Sequence, residues 1–445
     1  MMRRALLMAA TMALTVVASG VALAINKIGT NGPDTLRGTK VPRSFSTRGG
    51  ARMRRRIVLV LTIALAMVLA CAGVVLAQAS TTASTNAAEQ QSSTPSALSN
   101  GRCPSNTVGL PIPVMTRNLY QGADLSPVFA AAAKGDGPGI VQATTTAWQN
   151  IKATNFPERA GALGDEIEQS EPLLVGLQEV SLYRTGPPDS ITATPTPAEH
   201  VEFDYLDILL KELDQRGLHY APVTITKEAD AEIPGYTAPG VLQDIRLTDR
   251  DVILARTDVS SSKLQLSNKQ TGNYATYASL PIGDTGQSIK LLRGWGSVDV
   301  TLRGQTFRFI NTHLQQEGPL NAIQVAQGNE ILNGPANTSL PVILAGDFNS
   351  RADGTGTPTY NNLIGAGFKD VWRATHPREL GNTWGHRADL LNTTVNLTQR
   401  LDLVLFRNNL CALDADVVGD ELSDRTPSGL WPSDHAGVVA TLRGE

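Results

Sequence analysis

The polar residues most suited to chemistry in this chain follow short apolar stretches, in compact groups of acids, amides and histidines. Six such groups occur between residues 115 and 436. They are Met115-Thr116-Arg117-Asn118-Leu119, Gly176-Leu177-Gln178-Glu179-Val180, Asn311-Thr312-His313-Leu314, Ala345-Gly346-Asp347-Phe348-Asn349-Ser350, Arg400-Leu401-Asp402-Leu403-Val404 and Pro432-Ser433-Asp434-His435-Ala436. Because strand ends present side chains to a shared cleft, we expect these groups to meet there.

Oxygen ligands dominate the six groups. Glu179 and Asn118, with further acids nearby, suit a hard divalent cation such as Mg²⁺ or Mn²⁺. A structural four-ligand zinc site would need clustered cysteines or histidines, and the sequence has no such cluster. A cation on a non-bridging phosphate oxygen acts as a Lewis acid and stabilises the charge that develops during in-line displacement. The residue types therefore indicate a site for a hard divalent cation, which is able to assist chemistry of this kind.

Each group taken alone also has a structural interpretation. Asn118 could cap a turn, Glu179 could be a solvated strand end, and Asp402 could be the partner of a surface ion pair. A lone histidine is more often structural than catalytic. A shared function is therefore indicated only by the order of all six groups.

That order is an Asn, a Glu, a His, an Asp-x-Asn, an Asp and an Asp-His, and it resembles the endonuclease/exonuclease/phosphatase (deoxyribonuclease I-like) superfamily. The resemblance spans about residues 112–442, and its most specific parts are Gly346-Asp347-Phe348-Asn349 and Ser433-Asp434-His435. It implies an α/β (α+β) fold that is a four-layer sandwich, with two packed mixed β-sheets flanked by helices. It also implies a phosphoesterase that uses Mg²⁺ or Mn²⁺.

The resemblance assigns metal binding to Asn118, Glu179 and Asp434. Asp434 could alternatively orient the histidine network.

The catalytic set implied by the resemblance is His313, Asp347, Asn349, Asp402 and His435. His435 is expected to be the general base or to position the phosphate, since the pKa of an imidazole lies near neutrality. Asp347 and Asn349 would orient the attacking water and hold phosphate or a second metal ion. Asp402 would support the first metal site or the histidine, and His313 would donate to a phosphate oxygen or assist the leaving group.

An accessory acid that orients His313 is part of the family pattern, and Asp251 is the candidate for it. Asp249 and Asp244 are alternatives, and a plain strand-end acid is an equally good interpretation of Asp251. The Asn-x-His form around His313 resembles the deoxyribonuclease, sphingomyelinase and inositol-phosphatase branches rather than the abasic-site repair nucleases.

The elements that must position these residues are short apolar strands alternating with helices, which indicates a layered α/β or α+β domain. The predicted strands are 113–117, 173–178, 251–255, 297–302, 306–312, 342–345, 400–405 and 437–442. The predicted helices are 126–133, 144–149, 157–169, 205–216, 321–332 and a stretch near 361–365. Residues 186–198 and 272–287 are predicted to be surface loops.

The N-terminal region divides into segments of different composition. Residues 53–77 combine a basic start, an apolar run and a small-residue exit, the pattern of a signal peptide, but the uncharged run 57–77 could instead remain as a membrane anchor. Residues 1–52 hold a similar pattern and are interpreted as an upstream, misassigned extension. Residues 78–103 form a Ser/Thr-rich flexible linker and 104–445 the folded domain. The domain is therefore expected outside the cell, either secreted or anchored by 57–77.

Charge is distributed unevenly along the chain. The first 77 residues contain 11 of the 38 Lys and Arg but only one of the 41 Asp and Glu. The remaining residues hold 27 basic and 40 acidic side chains, a net charge of -13. This balance excludes a basic protein that coats nucleic acid by charge alone.

Several residues outside the six groups have structural interpretations. Cys103 and Cys411 can close one disulfide in an oxidising compartment. The remaining histidines, His200, His219, His376 and His386, are interpreted as surface or loop residues. Arg250, Arg293 and Arg387 are interpreted as solvated. Trp372 and Trp384 are interpreted as core residues, with an aromatic rim over the cleft as the alternative.

The function predicted from the sequence is a secreted, metal-dependent hydrolase of phosphate esters that acts by metal-assisted attack of water. Nucleic acid, a phospholipid or a small phosphoester could be the substrate. A phospholipid phosphodiesterase would need an apolar loop to meet a membrane, and Leu363-Ile364 and Leu430-Trp431 are the candidates. A non-catalytic surface-binding module is the alternative of a different class. We expect a monomer with no stable protein partner.

Overall fold

The computed structural model describes residues 101–107, 109–190, 196–283 and 288–444. The predicted extension 1–52, the signal-like segment 53–77 and all but the last three residues of the linker 78–103 lie outside the described residues. Within the described ranges, no helix is both long enough and apolar enough to cross a membrane.

The described residues form sixteen strands and seven α-helices. The strands are β1 (Ile112–Asn118), β2 (Leu174–Gln178), β3 (Leu182–Gly186), β4 (His200–Asp204), β5 (Tyr220–Ala238), β6 (Val241–Arg256), β7 (Leu264–Asn273), β8 (Ala278–Pro281), β9 (Ser288–Leu291), β10 (Gly294–Leu302), β11 (Gln305–His313), β12 (Val342–Asp347), β13 (Lys369–Asp370), β14 (Asp402–Arg407), β15 (Leu410–Val418) and β16 (Gly437–Gly444). The helices are α1 (Ser126–Lys134), α2 (Gly137–Ala153), α3 (Phe156–Ser170), α4 (Tyr205–Gln215), α5 (Asn321–Asn333), α6 (Thr359–Gly365) and α7 (Val371–Thr375).

Two large mixed sheets organise these strands. The first has eight strands in the order β15-β16-β1-β2-β6-β3-β4, with β5 paired to β6 outside this order. The second has six strands in the order β13-β14-β12-β11-β10-β7. In each sheet one central pair is parallel, β1 with β2 and β11 with β12, and the neighbours of these pairs are antiparallel. The parallel pairs bring successive strand ends to one edge.

Three apolar cores define the layers. The core between the sheets contains Val114 and Ile253 from the first sheet and Phe309 from the second. The outer face of the first sheet packs on α1 to α4, through residues such as Trp148 of α2. The outer face of the second sheet packs on α5 and α6, through Ile331 and Leu363. The predicted four-layer sandwich of two mixed sheets and flanking helices is confirmed.

A buried amide links the two sheets. Asn311 of β11 donates from Nδ2 to the carbonyl oxygens of Leu177 and Val252, and its Oδ1 accepts from Nε2 of Gln178. Gly176 makes room for this contact, since a Cβ atom there would lie 2.6 Å from Oδ1 of Asn311. The Asn of the Asn-x-His group therefore joins the sheets and fixes the strand that carries His313.

The predicted strands all exist, but several are longer and others were missed. The largest error concerns β5 and β6, which form a long hairpin of which only 251–255 was predicted. Outside 252–255, its apolar residues are interrupted by charged and polar side chains, so no continuous apolar run marks the rest of it. Helix α2 begins earlier than predicted because Pro138 lies in its first turn, where proline is well accommodated. The predicted loop 272–287 contains β8.

Cys103 and Cys411 form a disulfide bond, as predicted. It ties the start of the described chain to β15. The amide of Cys103 also donates to the carbonyl of Ala412, so the segment before β1 is held along the edge of the first sheet.

Candidate active site

The six polar groups meet at one edge of the sandwich. Asn118 ends β1 and Glu179 directly follows β2, so the parallel register of these strands places them side by side. In the second sheet, His313 of β11 is the register partner of Asp347 at the end of β12. Asp347 in turn faces Asp402 at the start of β14. The fold therefore brings together side chains that are far apart in sequence.

His435 is held by Asp402 and by the backbone around it. Its Nδ1 lies 2.8 Å from Oδ2 of Asp402, and the hydroxyl of Thr383 donates to the same carboxylate oxygen at 2.6 Å. The backbone amide of His435 donates to the hydroxyl of Ser433. Nε2 of His435 therefore faces Asp347, at 3.9 Å from Oδ2.

Asp347 is the centre of the cluster. Its Oδ1 accepts from the backbone amide of Asn349 at 2.9 Å, and its Oδ2 accepts from Nδ2 of Asn118 at 3.2 Å. Nε2 of His313 lies 3.4 Å from the same Oδ2. The preceding Gly346 has φ of 150° and a Cβ atom there would lie 2.0 Å from the carbonyl oxygen of Thr312, which requires glycine before this aspartate.

Glu179 and Asp434 lie on the walls of a cavity next to this cluster. Glu179 has φ of 56°, an unusual value for glutamate that is typical of functional positions, and its Oε2 accepts from the amide of Gln121 at 2.8 Å. Burial, together with the charges of Asp434 and Asp249, raises the pKa of Glu179 to about 8. Burial also raises the pKa of Asp434. A nearby cation would therefore stabilise both carboxylates in their ionised form.

His313 contacts an arginine rather than the predicted acid. Nη1 of Arg293 lies 2.9 Å from Nδ1 of His313, whereas Oδ1 of Asp251 and Oε2 of Glu228 are each 4.0 Å from it. Because arginine only donates, Nδ1 must accept and the proton of the neutral ring lies on Nε2, towards Asp347. Burial, with the charges of Arg293 and His435, lowers the pKa of His313 well below its usual value. His313 is therefore a neutral donor.

Arg293 neutralises a group of buried acids behind His313. Its Nη1 lies 2.9 Å from Oε2 of Glu228 and 3.0 Å from Oδ2 of Asp249. Asp251 belongs to the same group, and both of its oxygens lack a hydrogen-bond partner among the described residues. Asp244, the other alternative, instead accepts from residues 189 and 190 at a distant turn. The interpretation of Arg293 as solvated was wrong.

Two further buried arginines support the site and were missed. Arg117 pairs with Glu166 of α3 and donates to the carbonyl oxygen of His435. Arg159, also in α3, donates from Nη1 to the carbonyls of Leu119 and Pro432, one next to Asn118 and the other ahead of Asp434. Arg117, in β1, thus links α3 to the loop of His435, and Arg159 links α3 to two loops of the site. An arginine within an amphipathic helix gives no sequence signal of burial.

Charge in the cluster follows from its composition. Burial alone would lower the pKa of His435, but the carboxylates of Asp402, Asp434 and Asp347 raise it to about 10. Burial and the charge of Asp402 raise the pKa of Asp347 to about 6. At neutral pH, His435 is therefore protonated and Asp347 is ionised.

The remaining predictions for aromatic and basic residues have mixed outcomes. His200 and His219 are exposed, as predicted. His386 lies in a loop, one of the two predicted alternatives, but it is buried and stacks on Trp431. His376 is half-buried and stacks on Trp372. Trp372 is a core residue, whereas Trp384 lines the cavity beside His435, which matches the alternative of an aromatic rim.

Further outcomes concern arginines and apolar residues. Arg250 is not solvated; it is buried and donates to Asp204 and to the carbonyl of Val180. Arg387 is exposed, as predicted, and pairs with Asp389 at the surface. The candidates for a membrane-facing loop were wrong, since Leu363, Leu430 and Trp431 are buried.

The donor set fits a hard divalent cation. The carboxylates of Asp347 and Asp402 place oxygen atoms within 4.8 Å of one another. Oδ1 of Asp402 is buried without a hydrogen-bond partner among the described residues, and the carboxylates of Glu179 and Asp434 face the adjoining cavity. Carboxylate and amide oxygens are the ligands that Mg²⁺ and Mn²⁺ prefer.

Comparison with known proteins agrees with this geometry. The model of the Endonuclease/Exonuclease/phosphatase family matches residues 142–435. No curated protein matches the chain. Three similar solved structures are an endonuclease/exonuclease/phosphatase family protein from Leptotrichia buccalis C-1013-b, the mannosyl-6-phosphatase Bt3783 from Bacteroides thetaiotaomicron VPI-5482, and D. rerio TDP2 in complex with a single-strand DNA product.

These three structures share little sequence with the chain. The Leptotrichia protein has 15% identity and a TM-score of 0.46, over 74% of this chain and 99% of its own. The mannosyl-6-phosphatase has 16% identity and a TM-score of 0.44, over 74% and 99%. TDP2 has 18% identity and a TM-score of 0.42, over 75% and 98%.

Proposed function

This chain belongs to the endonuclease/exonuclease/phosphatase family, and from that membership and the geometry of its site we propose that it is an exported, divalent-metal-dependent phosphoesterase. The observation that carries the proposal is the cluster around Asp347, in which two histidines, an amide and further carboxylates converge, and of which Asp347 and His435 line the cavity.

Glu179, Asn118 and Asp434 would hold the cation, which is Mg²⁺ or Mn²⁺. When bound, the cation would supply Lewis-acid polarisation of the phosphoryl group and offset the negative charge of the site. This role matches the elevated pKa of Glu179, because a carboxyl that burial disfavours as an anion is stabilised by a nearby positive charge.

The protein residues act on the water and on the phosphate. Water attacks phosphorus, a new P–O bond forms, and the ester P–O bond on the opposite side breaks. Asp347 accepts the proton of the attacking water, and Asn349 and Asn118 hold the carboxylate in place. The released oxygen takes a proton from solvent.

The two histidines stabilise the charge on the phosphate. Protonated His435 and neutral His313 both present Nε2–H groups towards Asp347, where the non-bridging oxygens would lie. Asp402 holds the imidazolium of His435 in orientation. Of the two predicted roles for His435, the geometry and the charge of the ring favour phosphate positioning over general base.

Hydrolysis of bis(p-nitrophenyl) phosphate with and without Mg²⁺ or Mn²⁺ tests the proposal. We expect metal-dependent release of nitrophenol, and a loss of at least about a hundredfold in kcat for Glu179→Gln and His435→Ala. Glu199→Gln and His219→Ala, at exposed positions outside the cavity, are the matched controls and should retain activity.

Two results would contradict the proposal. One is unchanged activity in folded Glu179→Gln and His435→Ala proteins. The other is the absence of metal-dependent hydrolysis across phosphodiesters and phosphomonoesters, which would favour a non-catalytic binding module.

Export is part of the same proposal. The signal-like segment 53–77 and the disulfide between Cys103 and Cys411 support it, since disulfides persist in oxidising compartments. N-terminal sequencing of protein recovered from culture medium tests it: a start shortly after Ala77 is expected, and retention of the intact chain in the cytoplasm would contradict it.

A further inference from the structure

The cavity at the cluster continues well beyond the polar residues. It has a volume of about 720 Å³ and reaches from Asp347, Glu179 and His435 into a space between helices α1 and α2 and the β5–β6 hairpin. We call this second part the apolar channel. None of the proposed chemical steps uses it.

The floor of the apolar channel is one face of the hairpin. Ala231 of β5 is paired with Leu247 of β6, and Ile233 with Ile245, and all four side chains line the channel. Residues two apart along a strand share a face, so the pairing of β5 with β6 places these four side chains on the same face of the hairpin. Ala231, Ile233 and Leu247 are each partly exposed to solvent, although their side chains are apolar.

The roof of the apolar channel comes from the helices. Thr144, Ala147, Trp148 and Ile151 of α2 follow one another at helical spacing and line it, and Phe129 of α1 closes one side. Phe129 is half-exposed, whereas Trp148 is buried against the core. Two elements that pack on each other thus leave an apolar space between them.

The walls turn polar at one end only. Along β6 the lining residues run from Ile245 and Leu247 to Asp249, which contacts Arg293. Residues 291–293, which also line the cavity, show the same change from apolar to charged, from Leu291 to Arg293. Four strand residues span roughly 13 Å, so the apolar channel extends about that far from Asp249.

The charge of the whole cavity argues against a polyanionic strand. Its lining contains six acids but only two arginines. The acids are Asp124, Glu179, Asp249, Glu317, Asp347 and Asp434. Arg293 is paired with Glu228 and Asp249, and Arg351 with Glu317, so neither is free to bind a chain of phosphates.

We propose that the apolar channel binds a hydrocarbon chain, and that the substrate is an amphiphilic phosphoester with one phosphate at the cluster and its apolar part between α2 and the β5–β6 hairpin. This inference rests on the proposed phosphoesterase function and adds the class of substrate. An apolar space continuous with a phosphate-directed cluster matches a ligand that changes from polar to apolar in the same direction.

Hydrolysis of methyl, butyl and octyl p-nitrophenyl phosphate, each at concentrations where it is monomeric, tests the inference. These phosphodiesters share one leaving group and differ only in the alkyl chain. We expect kcat/KM to rise by about a hundredfold from butyl to octyl, since each added methylene leaves water for an apolar site.

A variant that fills the channel separates a preference for the octyl ester that depends on the channel from nonspecific affinity for apolar compounds. Ala231→Trp should abolish most of the preference for the octyl ester and leave hydrolysis of the methyl ester within about twofold of wild type, because the reacting cluster is untouched. Ala133→Trp adds the same side chain at an exposed position of α1 that does not line the cavity, and should behave as wild type. If Ala231→Trp fails to fold, Ala229→Leu, a smaller change on the same face of β5, takes its place.

The outcomes distinguish the two proposals. Absence of metal-dependent hydrolysis of all three esters and of bis(p-nitrophenyl) phosphate by wild type would overturn the proposed function itself. Hydrolysis of all three esters at equal kcat/KM, or an octyl preference that survives in the folded channel variant, would overturn the apolar channel as a substrate site. Single-stranded DNA oligonucleotides form the last arm, and hydrolysis of these in preference to the octyl ester would also overturn it.

Discussion

Asp347 and His435 hold opposite charges at neutral pH because of the side chains around them. Three carboxylates keep His435 protonated, with a pKa of about 10. Asp347, with a pKa of about 6, is raised above its usual value but still ionised at pH 7. A protonated imidazole and an ionised carboxylate at the same centre suit a donor to phosphate and an acceptor of a water proton.

The pKa of Asp347 predicts an acid limit to activity. Its carboxylate accepts a proton in the reaction only when ionised, so kcat/KM should fall by about tenfold per pH unit once the pH is below the pKa of Asp347. Steady-state rates from pH 5 to pH 8 check this, with circular dichroism at each pH as the control for folding. A profile that is flat between pH 7 and pH 5 would rule out Asp347 as the proton acceptor.

At the residue scale, the sequence could predict side chains that follow apolar runs, but not those whose partner comes from a distant helix or strand. The eight site residues other than Asp251 each stand next to a strand or in a short specific motif. Arg159, Arg293 and Glu228 have no such context, and their burial depends on contacts across the fold. Arg293, and not Asp251 as expected, lies within hydrogen-bond distance of His313.

At the scale of elements, the contact between Asn311 and Gly176 couples the sheets that carry the two halves of the site. Gly176→Ala should lower the free energy of unfolding by about 1–3 kcal/mol, because its Cβ would overlap Oδ1 of Asn311. In an Asn311→Ala background the same change should cost measurably less, and urea unfolding of the four proteins measures the coupling.

Gly365→Ala is the control for this experiment. A Cβ atom at Gly365 would meet nothing within 4 Å, so the change should not destabilise the protein. Strictly additive effects of Gly176→Ala and Asn311→Ala would show that the two positions act independently, contrary to the contact described.

Some strands were easier to predict from the sequence than others, because strands buried on both faces are apolar along most of their length. The central strands β1, β2, β11 and β12 are buried on both faces, so they appear as short apolar runs. The β5–β6 hairpin has one face on α2 and the channel, whereas its other face carries charged and polar side chains, and this mixed composition concealed most of it. The part of the hairpin that forms the apolar channel was therefore absent from the predicted elements.

At the scale of the whole molecule, the disulfide joins segments separated by 308 residues. The double change Cys103→Ser and Cys411→Ser should lower the free energy of unfolding by about 2–4 kcal/mol, since the crosslink restricts the unfolded chain. Neither cysteine lines the cavity, so kcat should be preserved. Urea midpoints that are the same for the wild type and the double variant would contradict this.

The net charge of the molecule affects which substrates it attracts. The acidic balance of residues 78–445 and the acidic lining of the cavity both disfavour attraction of a polyanion. A substrate with a single phosphate depends far less on such attraction. The molecule is thus suited to short-range recognition at one reacting centre.

The most direct test of phosphoester hydrolysis at this cluster follows the oxygen of the attacking water. Bis(p-nitrophenyl) phosphate is hydrolysed with Mg²⁺ in water enriched in heavy oxygen, and both products are analysed by mass spectrometry. The account predicts one heavy oxygen in p-nitrophenyl phosphate and none in nitrophenol, with the reaction lost in Glu179→Gln. Heavy oxygen in nitrophenol, or undiminished turnover by the folded variant, would contradict it.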